Sequence, residues 1–294
     1  GARNAAFGGG ALQANTTGSN NTASGTYALQ NNTTGSNNSS VGTASLDANT
    51  TGAQNTAMGR ESLTSNTTGN NNSAFGQGAM AANTTGSNNT ASGYHAGKNN
   101  TTGINNVFLG YTAGMNVTPI TTGHENTLIG SYSYAAAAAE RVNVLGHAVQ
   151  GYTDYTTIGS NTNDIRAAHG STTWATVSDE RYKKDITATT AGLSFVNALR
   201  PVTWNYKTLG ELPTTFTAYE EGSTEVFKNT QTNHGFIAQE VKAAIDADAG
   251  IKDGFKMWDD REDGSQEVAE AALIPVLVKA IQELTARLEI LEGS

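Results

Sequence analysis

Residues Asn15 to Asn31 read NTTGSNNTASGTYALQN, and Asn32 starts the same pattern again. Asn-Thr-Thr-Gly begins at Asn15, Asn32, Asn49, Asn66, Asn83 and Asn100, a constant step of 17. A second mark keeps the same step: Gly8, Gly25, Gly42, Gly59, Gly76, Gly93 and Gly110 each close an Asn-x-x-x-Gly run. Directly before those glycines stand Phe7, Ser24, Val41, Met58, Phe75, Ser92 and Leu109, and four residues after the first five come Leu12, Leu29, Leu46, Leu63 and Met80. A fixed period of this length marks a stacked repeat. About two positions in each 17 are reliably bulky and apolar, so one coil alone cannot offset the entropy of ordering it. Stacked as rungs of a β-solenoid, equivalent residues lie at strand spacing and merge into columns. Positive φ angles and tight corners then fall to the glycines and the Asn-Thr-Thr-Gly turns. Columns this thin predict that several chains must associate before the core closes, with three as the preferred number. A disordered Asn/Thr/Gly/Ser tract is the compositional alternative, and strict phase over six repeats weighs against it.

Beyond Gly114 the array loosens. NVTPITTGHENTLIG is a stretched variant reaching Gly130, and RVNVLG and YTTIG echo the pattern at shorter steps. SYSYAAAAAE interrupts them; its run Ala135 to Ala139 reads either as a helical turn or as a small-residue contact at a narrow trimer axis. The six Asn-Thr-Thr triplets are formally glycosylation acceptors, but a repeat that reuses one turn reuses its sequon, so they are read as corner residues.

At 294 residues there is room for one large domain or two ordinary ones. The first 177 residues hold five Lys/Arg against six Asp/Glu, and the remaining 117 hold twelve against twenty. Neither part has the basic excess that phosphate neutralisation needs, so no nucleic-acid partner is expected. The absence of cysteine removes disulfides, thiolate catalysis and cysteine metal sites. No apolar run of about 18 residues is present, so no membrane insertion is expected. The sequence starts Gly-Ala-Arg and is read as a fragment of a longer protein.

Composition changes character near Trp174, from polar and nearly uncharged to charged, aromatic and helical in pattern. At that seam stands SDERYKKDI, starting at Ser178; LSFVNALRPVTWNYK, HGFIAQEV and LIPVLVKAIQELTARLEILE follow in order. Together these blocks resemble the intramolecular chaperone domains of the S74 peptidase type, found at the C-termini of phage tail spikes, tail fibres and endosialidases. The resemblance covers Ser178 to Glu292. The repeats are similar in style to the heads of trimeric bacterial adhesins and the shafts of phage fibres.

What the resemblance implies is self-cleavage after trimerisation, with Ser178 and Lys183 as the dyad and the scissile bond between Val177 and Ser178. A serine hydroxyl is a poor nucleophile until a base takes its proton, and a lysine serves only when desolvation or a nearby cation lowers its pKa. Ser178 attacks the preceding carbonyl and gives an ester that water resolves, a step needing a strained peptide and oxyanion donors. Five residues of spacing do not by themselves join the two side chains; a tight turn, a bulge or a subunit contact has to. Arg181 fits as an electrostatic partner holding Asp179 and depressing the pKa of Lys183, and Lys184 is the rival base. His234, beside Gly235, is a candidate for polarising the carbonyl or orienting Lys183, against the plainer reading of a hydrogen-bonded structural histidine. Glu240 and Gln239 are candidate polar partners, or caps of a helix running from Ala238 to Ala247. Taken alone, SDERYKKD is an ordinary solvated charge cluster.

From Ile274 the apolar residues fall into heptads, with Ile274, Ile281 and Leu288 at one core position and Leu277, Leu284 and Leu291 at the other. This is a coiled-coil seam for trimerisation, against a helix packed only on its own domain. WDDREDGSQE, from Trp258, lacks calcium-loop spacing and reads as an acidic hairpin around Asp263 and Gly264. No cofactor or metal is called for.

The expected architecture is a mainly β repetitive shaft over residues 1–130, an irregular β connector over 131–177, and an α+β chaperone domain over 178–294 ending in a coiled-coil helix over 273–292. The expected function is a trimeric phage tail fibre or spike segment, assembled in the host cytoplasm and carried on the virion. Its partners are two copies of itself and a host surface receptor, a glycan or an outer-membrane component, met through the shaft or a preceding part. The alternative is a structural or adhesive trimer whose C-terminal cap is never cut off. Enzymatic attack on host glycans is disfavoured, because no paired carboxylates recur along the repeat.

Overall fold

The computed structural model describes residues 1–115, 120–171, 178, 180–248, 251, 255, 257–260 and 264–292. The chain divides into two units, Gly1–Asp179 and Glu180–Ser294. In the first unit each 17-residue repeat folds into one coil with a single three-residue strand: β1 (Ala5–Phe7), β2 (Thr22–Ser24), β3 (Ser39–Val41), β4 (Thr56–Met58), β5 (Ser73–Phe75), β6 (Thr90–Ser92) and β7 (Val107–Leu109). Each pairs in parallel with the next, 17 residues on, as in Ala6↔Ala23 and Ala57↔Ala74. β8 (Thr127–Ile129), β9 (Asn143–His147) and β10 (Tyr155–Ser160) extend the same sheet at steps of 20, 16 and 13 residues. β11 (Asn163–Ala168) then turns back antiparallel on β10 through Asn161 and Thr162. The result is a β-solenoid of about nine turns, with eleven strands in chain order in one sheet.

Alternation of side chains sends the middle residue of each short strand inward and its neighbours outward. Ala23, Ser40, Ala57, Ala74, Ala91, Phe108, Leu128 and Val144 form that inner column, and Leu29, Leu46, Leu63 and Met80 face it from the following turn, all buried. These four turn residues have φ between 48° and 51°. The left-handed conformation costs a non-glycine residue about 1 kcal/mol or more, while burying a leucine-sized side chain gains roughly 1.5–3 kcal/mol, so burial wins. In the next two coils the turn position is Gly97 and then Gly114. A Cβ at either would strike the ring of Phe108, so one phenylalanine fills the space that two larger side chains vacate. A second local exchange occurs at β3: Ser40 replaces an inner alanine, and its hydroxyl donates to the Ser45 carbonyl at 2.8 Å.

The corner tetrapeptide is where the repeat spends its polar groups. Asn32, Asn49, Asn66, Asn83 and Asn100 are fully buried. Each donates its Nδ2 to the Oδ1 of the equivalent asparagine one coil back, at 2.7–2.9 Å. The following threonine donates its hydroxyl to the carbonyl of its successor one coil on, as Thr50 does to Thr67 at 3.0 Å. The glycine permits close approach: at Gly52 a Cβ would meet both Asn49 Oδ1 and the Gly69 carbonyl. A second buried ladder runs through Asn21, Asn38, Asn55, Asn72, Asn89, Asn106 and Asn126. In it each Oδ1 accepts the next backbone N–H at 2.9–3.0 Å, from Asn38 through Val142. Buried amides satisfied on both sides are what a polar core column requires.

Four sequence expectations change here. The core closes within one chain; association is not needed to bury Leu29 and its equivalents. The apolar residues preceding Gly8 and its equivalents lie outside the core, with Phe7, Val41, Met58, Phe75 and Leu109 exposed. The glycines from Gly8 to Gly110 take positive φ as expected, at 128° to 144°, but at the Asn-Thr-Thr-Gly corner glycine serves close approach, and positive φ falls two residues on, at Asn20, Asn37, Asn71, Asn88 and Asn105, residues that tolerate that region. The run Ala135 to Ala139 is not a helix. It replaces a corner: Ala137 accepts from Thr121, Thr122 and Gly123 as Thr33 does from Thr16, Thr17 and Gly18, and Ala139 accepts from Asn126.

In the second unit, α1 (Leu193–Ala198) leads into β12 (Val202–Trp204), which pairs antiparallel with β13 (Asn233–Gly235). α2 (Ala238–Ala247) follows, then a hairpin of β14 (Trp258–Asp260) and β15 (Gln266–Val268), and α3 (Leu273–Glu292). Phe195 of α1, Val241 and Ile245 of α2, Met257, and Leu273 and Val276 of α3 form the core. The expected hairpin brackets Gly264; Asp263 lies outside the described residues.

Candidate functional site

Ser178 is exposed and falls in the first unit; the boundary follows Asp179, and Lys183 falls in the second. Between them a 3-10 turn, Glu180–Tyr182, is closed by the Lys183 N–H donating to the Glu180 carbonyl at 2.8 Å. Arg181, Lys183 and Lys184 are all exposed, as are the residues on to Thr190, so exposure does not separate the two lysines as candidate bases. Val177 and Asp179 lie outside the described residues.

His234 and Glu240 sit elsewhere in the second unit. His234 is the exposed middle residue of β13, opposite Thr203 of β12. Glu240, in the first turn of α2, forms an ion pair with Arg200. Hydrogen bonding to that guanidinium holds its carboxyl below the ordinary carboxylate range. The pair fastens α2 to the segment entering β12, a role that no spacing in the sequence announces. Gln239, beside it, is exposed. An open groove on the same unit is lined by Trp204, Tyr206, Phe216, Phe227 and Phe236.

α3 has two apolar faces. Leu273, Val276 and Ala280 are buried toward the domain's own core, and Glu283 on the same side accepts the Leu193 N–H at the start of α1 at 2.9 Å. Ile274, Leu277, Ile281, Leu284, Leu288 and Leu291, the heptad positions, are between 42% and 72% exposed in the single chain. Packing on its own domain and leaving an apolar face exposed are therefore both properties of this helix, on different sides. The heptad pattern marks the exposed residues; the packed side was masked by sharing the same apolar stretch. Among the described residues, no helix is long and apolar enough to cross a membrane.

Residues 178–250 match the family model described as the chaperone of endosialidase, about a quarter of the chain and starting at Ser178 itself. No curated protein and no solved structure matches the chain.

Proposed function

We propose that the second unit is an intramolecular chaperone that gathers three chains, aligns their solenoid shafts, and then severs itself between Val177 and Ser178. The shaft is then a segment of a phage tail fibre or tail spike, assembled in the host cytoplasm and carried on the virion toward a surface receptor. The observation that carries this reading is the family match, because it begins on the residue to which the cleavage chemistry is assigned. The exposed heptad seam of α3 supports the association step, since six large apolar residues at coiled-coil spacing call for partner helices.

In the cleavage step Lys183 takes the proton of the Ser178 hydroxyl, and Oγ attacks the carbonyl carbon of Val177. The bond from that carbon to the Ser178 nitrogen breaks, the nitrogen takes a proton and becomes a free amine, and Val177 is held as an ester on Oγ. Water hydrolyses the ester, leaving a carboxylate on Val177 and restoring the serine hydroxyl. A lysine accepts that proton near neutral pH only when desolvated or placed beside a cation. Lys183 is exposed in the single chain, so on this reading its desolvation comes from neighbouring copies, and assembly arms the dyad. Arg181 and Asp179 flank the serine as supporting charges. Glu240, tied to Arg200, supports the domain's fold, and His234 supports β13.

The test is a denaturing gel of purified protein. Wild type gives fragments of 177 and 117 residues, and Ser178→Ala gives one intact chain of 294. A wild type that associates yet stays whole overturns the cleavage and leaves a permanent C-terminal cap as the standing alternative.

A further inference from the structure

We infer that the outward face of the solenoid sheet is the surface on which copies of this shaft dock, side by side and rung against equivalent rung; this rests on the self-association proposed above. The residue after the inner one of each strand points outward, and Val41, Met58, Phe75, Leu109, Leu145 and Ile158 are large, apolar and exposed there. They are not spare core, because the inner columns are already full. A row of exposed large apolar groups running the length of a shaft is what isolated soluble proteins avoid.

Two features say that a copy of the chain covers this face. The first is charge. No strand from β1 to β10 contains a charged residue, whereas Asp47, Arg60, Glu61, Lys98, Glu125 and Arg141 all sit in the turns. Around a symmetry axis along the shaft each residue meets its own equivalents, so any charge on the docking face would meet its like; only a neutral face can close on itself. The second is period. The face repeats at the spacing of adjacent strands, and another copy of the shaft offers the same spacing over the same length, whereas an unrelated globular partner would reach only a few rungs.

Size assigns an order to the events. A strip three residues wide and ten strands long is roughly 10 Å by about 45 Å, or about 450 Å², against about 800 Å² per partner in a stable interface. The strip alone is too small to gather free chains. Held together by their α3 helices, the copies meet at an effective concentration near the millimolar range, where a marginal face suffices.

The chain has no cysteine, so single replacements report unambiguously. Ser24 and Ser92 lie on the outward column as the third residues of β2 and β6, and Ser→Cys there is nearly isosteric. Thr85, an exposed residue of the fifth Asn-Thr-Thr-Gly corner, is the control. Full-length S24C, S92C and T85C are treated with a short bis-maleimide, run on a denaturing gel, and sedimented in parallel without reagent. The expected result is covalent shaft dimers for S24C and S92C, none for T85C, and an oligomer in all three. An oligomer that links through Thr85→Cys equally well, or at none of the three, overturns the docking face while leaving the assembly standing. A monomer by sedimentation overturns both.

Discussion

At the scale of single residues the solenoid is governed by what one position makes its neighbours do. Phe108 is the clearest case, because its ring occupies the volume over Gly97 and Gly114. Gly97→Leu in the wild type forces a side chain into that ring and destabilises the shaft, by about 1–3 kcal/mol for overpacking. In a Phe108→Ala background, itself expected to cost about 3–5 kcal/mol, the same change refills the cavity and its sign reverses. Leu63 already shows that leucine accepts the conformation required, at φ 50° against 58° for Gly97. A double-mutant cycle by denaturant unfolding reads this, and additive effects would contradict it. The asparagine ladder shows the converse: Asn100 Oδ1 has no donor among the described residues, and the next coil puts Ile120 where the ladder would need a sixth buried asparagine. The sequence displayed the period and the corner, but not these exchanges. A polar Asn column looks like turn composition until the coils are stacked, and only then does its amide become a core group. Burial of Asn32, Asn49, Asn66, Asn83 and Asn100 also closes those five sequons to glycan addition in the folded shaft.

At the scale of elements, α3 carries two apolar faces with separate duties. Leu284→Asp on the exposed seam should leave the domain folded by circular dichroism and abolish the oligomer in sedimentation. Ala280→Asp, on the buried side, should unfold the domain as well, by placing an unpaired charge in the core. Equal loss of fold in both variants would refute the division of faces. The Arg200–Glu240 pair makes a pH prediction with a defined sign. Because the Glu240 carboxyl is held below its ordinary value by Arg200, its stabilising contribution is complete above the unfolded-state carboxylate value and disappears as pH falls through the folded one. Unfolding midpoints of wild type and Glu240→Gln should differ at neutral pH and converge in acid; a constant difference would assign the effect to packing. Helix limits, the β14–β15 hairpin and the exposed apolar heptad face were legible because each rests on local periodicity or turn chemistry. The Glu240 pairing was not, since forty residues separate its partners. Nor was the outward direction of the column from Val41 to Leu109, because a three-residue strand is too short for alternation to be read.

At the scale of the whole molecule, the repeat that makes the shaft cheap to encode also makes it hard to align. Two neighbouring shafts displaced by one 17-residue rung lose almost none of their equivalences from β1 to β7, so register has to come from elsewhere. The irregular steps of 20, 16 and 13 residues at β8, β9 and β10 occupy the end of the shaft nearest the chaperone in the chain, and there only one alignment matches. On the function proposed above, gathering at α3 followed by matching of these unique coils would let the monotonous remainder close in register, and cutting between Val177 and Ser178 would then remove the route by which a loosening chaperone could reopen it. The most direct test of this order is the cleaved fraction of full-length protein at fixed time, read by intact mass across a range of chain concentrations, beside Leu284→Asp. The account predicts a fraction that rises with concentration in the wild type and stays near zero in the variant. Cleavage at a rate independent of concentration, undiminished in Leu284→Asp, would contradict it.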